Sequence, residues 1–254
     1  MAETIKCISP VDGSVYASRP VAAMQAIAAA FAAAQAAQAN WRKVPLAERA
    51  AYCSAAVDAM LAMKDEIVPE LAWQMGRPVR YGAGELRGFE ERARFMIGIA
   101  EKALAPIVPE AKEGFTRYIK REPLGVVFTI APWNYPYLTA VNSIIPAIMA
   151  GNTVVLKHAS HTLLVAERFQ QAFDKAGLPK GVFQHLVLNH EQTAQIISGG
   201  LTNMVCFTGS VAAGRAMEQA AAGRFINMGL ELGGKDPAYV RADADLNHAV
   251  ENLV

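Results

Sequence analysis

Four short runs in the second half of the chain, VVFTIA (126–131), NTVVLK (152–157), VFQHLVL (182–188) and NMVCFT (203–208), are apolar almost throughout. Runs of this length without polar alternation read as strands covered on both faces, the habit of parallel sheets. Helix-like stretches separate them, at 138–150, 162–176, 191–198 and 211–222. The repeated β-α order implies right-handed crossovers in a doubly wound α/β sheet, a Rossmann-like fold class whose ligands bind beyond the carboxyl ends of the strands.

The part before these runs, 1–113, reads as mainly helical. Pro20 suits a first helical turn, and the alanine-rich stretch after it carries Met24, Ile27 and Phe31 at helical spacing. A second helix starts at Pro45; Pro69 interrupts or restarts it, and Gly76 with Pro78 ends it. A further helix is expected over 83–104. The segment FTRYIK alternates polar and apolar residues as a half-exposed strand does, so 114–122 is a candidate oligomerisation strand and 123–254 the β/α part of one cofactor-binding domain over 1–254.

Composition narrows the function classes. Hydrophobic residues make up 53% and charged residues 19% of 254 residues, with a net charge of +1. That balance suits a globular protein and points to no nucleic-acid partner. No secretory start and no apolar run of membrane-spanning length occur, so a cytoplasmic protein without a membrane partner is expected. Cys7, Cys53 and Cys206 stand far apart without CxxC spacing, which fits a reducing compartment.

Chemistry gathers at the strand ends, in APWNYP (131–136), KHAS (157–160), TGSVAAG (208–214) and ELGGK (231–235). Gly209 lets backbone approach a ligand, Ser210 is placed as a helix N-cap, and Gly214 lets helix and strand close up; free N–H groups there suit a pyrophosphate, although a ligand-free helix start has the same look. Lys157 ends a buried strand, where its ammonium either meets ribose or phosphate or only reaches solvent. Asn134, held between two prolines, is either an oxyanion donor or a turn residue. His158 and His161 lack a third ligand, so no metal is expected. Glu231 stands among Met228, Gly229, Leu230 and Leu232; a carboxyl removed from water gains a raised pKa and suits proton transfer.

In this order, PLGVVFTIAPWNYP, NTVVLKHAS, VCFTGSVAAGR and LELGGKDP resemble the aldehyde dehydrogenase superfamily, from about Ile8 to the last residues. The resemblance implies an NAD or NADP cofactor, a small aldehyde substrate and a homodimer or homotetramer. It makes Asn134 the oxyanion-holding amide and Glu231 the general base. It puts Lys157 at the adenosine ribose, Gly209 and Ser210 at the pyrophosphate, and Ile130, Ala131, Pro132, Trp133 and Leu232 beside the cofactor. KHAS resembles the succinate-semialdehyde dehydrogenase branch in particular.

Two positions depart from the family pattern. Ser160 stands where many relatives carry a glutamate, which implies access for NADP and a second donor from His158. Asn189 and His190 replace a glycine at the end of the third run. The family's nucleophilic cysteine lies beyond the ELGGK segment, and none of the three cysteines is placed to substitute; Cys206 is expected to pack as a small hydrophobe. The chain therefore reads as the cofactor-binding portion of a longer dehydrogenase, truncated and inactive alone. The alternative is a stand-alone nucleotide-binding or interaction module.

Overall fold

A computed structural model describes residues 3–253. The chain opens with an antiparallel hairpin, β1 Thr4–Ile8 and β2 Val15–Pro20. Helices α1 Met24–Trp41, α2 Leu46–Leu61, α3 Lys64–Met75 and α4 Val79–Leu104 follow. The β/α part then runs β3 Val126–Ile130, α5 Pro136–Met149, β4 Thr153–Lys157, a 3-10 turn Ser160–Thr162, α6 Leu163–Lys175, β5 Phe183–His185, α7 His190–Ser198, β6 Met204–Gly209, α8 Val211–Ala221, β7 Asn227–Leu232 and α9 Leu246–Leu253.

The sheet is entirely parallel in the order β5-β4-β3-β6-β7. From β3 the chain steps outward through β4 to β5, then returns across the sheet to β6 and continues outward to β7. The reversal lies between β3 and β6, where neighbouring connections leave in opposite directions and open a crevice at the carboxyl edge. Ile130 is in register with both Lys157 and Phe207, so three strands deliver their ends to that crevice at one level.

Side-chain alternation divides the core in two. Val127, Val154 and Leu156 pack under α2, α4, α5 and α6, while Val126, Phe128, Val155, Val205 and Phe207 pack with α1, α7 and α8 on the other face. Thr129 and Thr153, buried within the strands, are satisfied by Ser143 Oγ at 3.1 Å and the Ala34 carbonyl at 3.1 Å.

Several sequence expectations change. Pro20 ends β2 instead of starting a helix; Asp12-Gly13 turns the hairpin, with Gly13 at φ 76° and Ser14 N–H donating to Asp12 Oδ1. Helix α4 starts at Val79, four residues before 83, with Pro78 at its N-cap. Residues 115–120 form no regular strand in the single chain. The bridges Ile107–Ile119 and Lys112–Phe115 hold a ribbon exposed on both faces, because no sheet lies beside it. The third run keeps only Phe183–His185 as strand. Asn189 instead caps α7 in a capping box with Gln192, a use for the residue found in place of glycine.

Candidate active site

Because all five strands point one way, the turns after β3, β4, β6 and β7 meet along one edge. At β3, Ile130 and Ala131 are buried, and Ala131 N–H donates to the Lys157 carbonyl, which joins the first two turns. Pro132 is half-buried, and Trp133 is half-exposed with its ring 6.2 Å from that of His161. Asn134 is exposed; its Oδ1 accepts from Tyr135 N–H at 3.0 Å, leaving the NH2 group of the amide as an outward donor.

Lys157 is largely buried, and its ammonium has no hydrogen bond or ion pair among the described residues. Burial alone draws its pKa below the ordinary lysine value. Such a cation at a crevice edge is a receptor for hydroxyl or phosphate oxygens. Ser160, half-buried, opens the 3-10 turn next to it. The expected second donor there is lost: His158 is buried with its ring committed. Ala159 N–H donates to Nδ1, Thr162 Oγ1 lies 2.9 Å from the same atom, and Nε2–H donates to the Pro136 carbonyl at 3.2 Å. Burial pushes the imidazole down to about 4, so it is neutral around pH 7.

After β6, Ser210 caps α8, its hydroxyl accepting from Ala213 N–H at 3.2 Å. Gly214 lets α8 and β7 approach closely: a Cβ there would lie 2.6 Å from Leu232 Cδ2, so any larger residue has to turn the Leu232 side chain aside. At Gly209 a Cβ would fall 2.6 Å from the Phe207 ring.

Glu231 corrects the sequence reading. Its apolar neighbours flank it along the chain, but alternation sends Met228 and Leu230 into the core and Glu231 to the opposite, uncovered face, where it is exposed. The desolvation expected from its neighbours is therefore not supplied by this chain. That face forms a groove of about 370 Å³ between α5 and strands β3, β6 and β7, lined by Thr139, Asn142, Ser143, Cys206, Thr208 and Glu231 among others. Trp133 and Asn134 are not among its lining residues. Cys206 is half-buried at the groove floor instead of enclosed, and burial pushes its thiol up to about 11. The Cys53 thiol is pushed up to about 12, and that of Cys7 is also raised. None is a ready thiolate.

A pair that the sequence reading passed over stands behind the Asn134 turn. The Glu85 side chain is fully buried; Oε1 accepts from Tyr137 N–H at 3.0 Å and Leu138 N–H at 3.1 Å, and Oε2 lies 2.9 Å from Arg77 Nη1. Arg77 Nη2 donates to the Asn134 carbonyl at 2.5 Å, and its guanidinium lies 4.5 Å from the centre of the Tyr135 ring. Glu85 and Asn134 are 49 positions apart, and no local pattern links them.

The family model described as the aldehyde dehydrogenase family matches residues 1–254. A succinate-semialdehyde dehydrogenase (NADP+) of Mycobacterium avium is 32% identical over 253 residues, 98% of this chain and 54% of that protein. Among solved structures, a succinic semialdehyde dehydrogenase from Streptococcus pyogenes, in complex with NADP+, matches with a TM-score of 0.91 at 26% identity, covering 97% of this chain and 54% of the other. An NAD-dependent benzaldehyde dehydrogenase from Corynebacterium glutamicum matches with a TM-score of 0.91 at 30% identity, covering 98% and 54%. The chain thus spans about half the length of the relatives it matches.

Proposed function

Because the chain belongs to the aldehyde dehydrogenase family, we propose that it forms the NAD(P)-binding half of an enzyme that oxidises a small aldehyde to the carboxylic acid. The observation that carries this reading is Lys157, a largely buried side chain whose ammonium has no hydrogen bond or ion pair among the described residues, at the same carboxyl edge of the sheet as the Ser210-capped start of α8. A dinucleotide fits those donors and, when bound, supplies the hydride acceptor.

The chain's own residues then divide the work. Lys157 and Ser160 face the adenosine ribose, where serine in place of a carboxylate leaves room for a 2'-phosphate. Gly209 and Ser210 receive the pyrophosphate, and Ile130, Ala131, Pro132, Trp133 and Leu232 border the cofactor. The outward NH2 of Asn134 donates to the oxyanion that forms when a thiolate adds to the aldehyde. Glu231 takes a proton from the water that hydrolyses the thioester, which the thiolate–aldehyde adduct would become on losing its hydride. The raised thiols of Cys53 and Cys206 support a nucleophile that is not one of this chain's cysteines, and a chain inactive without it. That same observation favours a second reading, a nucleotide-binding module without chemistry.

The narrower proposal for substrate is a succinate-semialdehyde-like compound, after KHAS and the M. avium relative. A cytoplasmic homodimer or homotetramer is proposed as well, supported by the exposure of Phe115, Tyr118 and Ile119 on the 114–122 ribbon. The kinetic test uses the polypeptide that carries this chain together with its nucleophile. Glu231→Gln leaves the first-turnover burst of reduced cofactor and slows steady turnover by about a hundredfold; an unchanged steady rate removes Glu231 from the mechanism.

A further inference from the structure

We infer that Glu85 is the positioning residue for the oxyanion turn, holding the start of α5 and, through Arg77, the Asn134 backbone as one rigid unit. The inference rests on the reading of Asn134 as oxyanion donor. Helix α5 has no cap of its own: Tyr135 stands at the N-cap and makes no side-chain cap bond. Its first-turn N–H groups need acceptors, and a serine or aspartate at the N-cap would satisfy one of them at the surface. Instead two of them, Tyr137 and Leu138, are satisfied by a carboxylate from a different helix, with its side chain wholly removed from water.

Burying a carboxylate is costly unless partners surround it. Here the arrangement does something a local cap cannot. It fixes α5 to α4, and it recruits Arg77, itself only 12% exposed, whose other nitrogen holds the Asn134 carbonyl and whose plane covers Tyr135. From the opposite side His158 donates to the Pro136 carbonyl, tying the same turn to the strand that ends in Lys157. The backbone from Asn134 to Leu138 is therefore gripped at four points, Asn134, Pro136, Tyr137 and Leu138, by groups from α4, the loop between α3 and α4 and the turn after β4. A donor aimed at a developing charge is effective only if it is set before the reaction, and a displacement of about 1 Å is enough to slow a reaction about a hundredfold. The Glu85 carboxyl shows both sides of this balance: burial raises its pKa, and the Leu138 N–H, the Arg77 guanidinium and the Tyr137 N–H draw it back.

The test measures single-turnover acylation per titrated site, and cofactor Kd beside it, in the polypeptide with its nucleophile. Glu85→Ala is expected to slow acylation about tenfold or more while cofactor Kd moves less than about twofold. Glu85→Gln keeps an oxygen that accepts from both N–H groups and is expected to return acylation to within about threefold of the parent protein. If Glu85→Ala does not fold, Glu85→Gln and Arg77→Ala carry the test, with Arg77→Ala slowing acylation and Glu85→Gln sparing it. Acylation unchanged in Glu85→Ala while Asn134→Ala is slow overturns the positioning role and leaves the oxyanion reading standing. Glu85→Gln as slow as Glu85→Ala also overturns it, since the accepting oxygen is then irrelevant. Acylation unchanged in Asn134→Ala overturns both readings together.

Discussion

Strand β3 is buried at all five residues, Val126–Ile130, whereas along β7, Asn227–Leu232, none is fully buried and Glu231 is exposed. Both end on the same edge; the turn after β3 holds Asn134 and β7 itself holds Glu231, the two residues proposed for chemistry. The β3 side is finished within this chain: helices cover both faces, Asn134 is gripped by Arg77, and Ala131 is bonded to the lysine strand. The β7 side has cover on one face only, so Glu231 meets solvent across an open groove. The difference teaches that a turn is fixed by packing from several elements, which Asn134 has, while a carboxylate on a strand covered on one face stays in solvent, as Glu231 does.

The contrast breaks most readily in stability. Phe128 is fully buried and its ring meets Phe31 edge-on, whereas Leu232 is 41% exposed. Phe128→Ala is expected to cost about 3–5 kcal/mol and Leu232→Ala under about 1 kcal/mol in urea unfolding. Equal losses would mean that β7 is as firmly packed as β3.

Acid sharpens the contrast next. The His158 pKa is lowered from 6.5 to about 4, so on acidification the unfolded chain takes up the proton first. The contribution is fully present above about pH 6.5 and is lost as pH falls through about 4, a change of about 3 kcal/mol. His158→Gln removes that loss; an unchanged pH dependence of the urea midpoint between pH 7 and 4 would show that burial does not hold the ring neutral.

A smaller effect belongs to cofactor choice. Ser160→Glu places a negative charge beside the proposed 2'-position and is expected to lower the NADP-to-NAD affinity ratio by about tenfold, the scale of one partly screened charge pair. A constant ratio means selection is made elsewhere in the adenosine pocket.

Much of the β3 half was legible because it obeys local rules: VVFTI and TVVLK are apolar without alternation, and Ser210 and Gly214 act at the α8 start as their types suggest. The first hairpin was legible too, through Asp12-Gly13 between two alternating runs, but the alanine-rich helix after it dominated the reading of that region. So was the Asn189–Gln192 capping box. Glu231 misled because sequence neighbours in a strand occupy opposite faces, and the residues beside it say nothing of its own side of the sheet. The Glu85–Arg77 clamp was not legible at all, since it depends on how α4 crosses α5.

The most direct measurement is calorimetric titration of NAD and NADP into this chain and into Lys157→Met, with thermal unfolding of both without ligand. Replacing a largely buried lysine, whose ammonium makes no bond among the described residues, by an apolar side chain of similar length is expected to leave Tm unchanged or slightly raised while weakening cofactor binding about tenfold or more. Stability lost together with unchanged cofactor affinity would contradict the account, because Lys157 would then serve the fold and not the ligand.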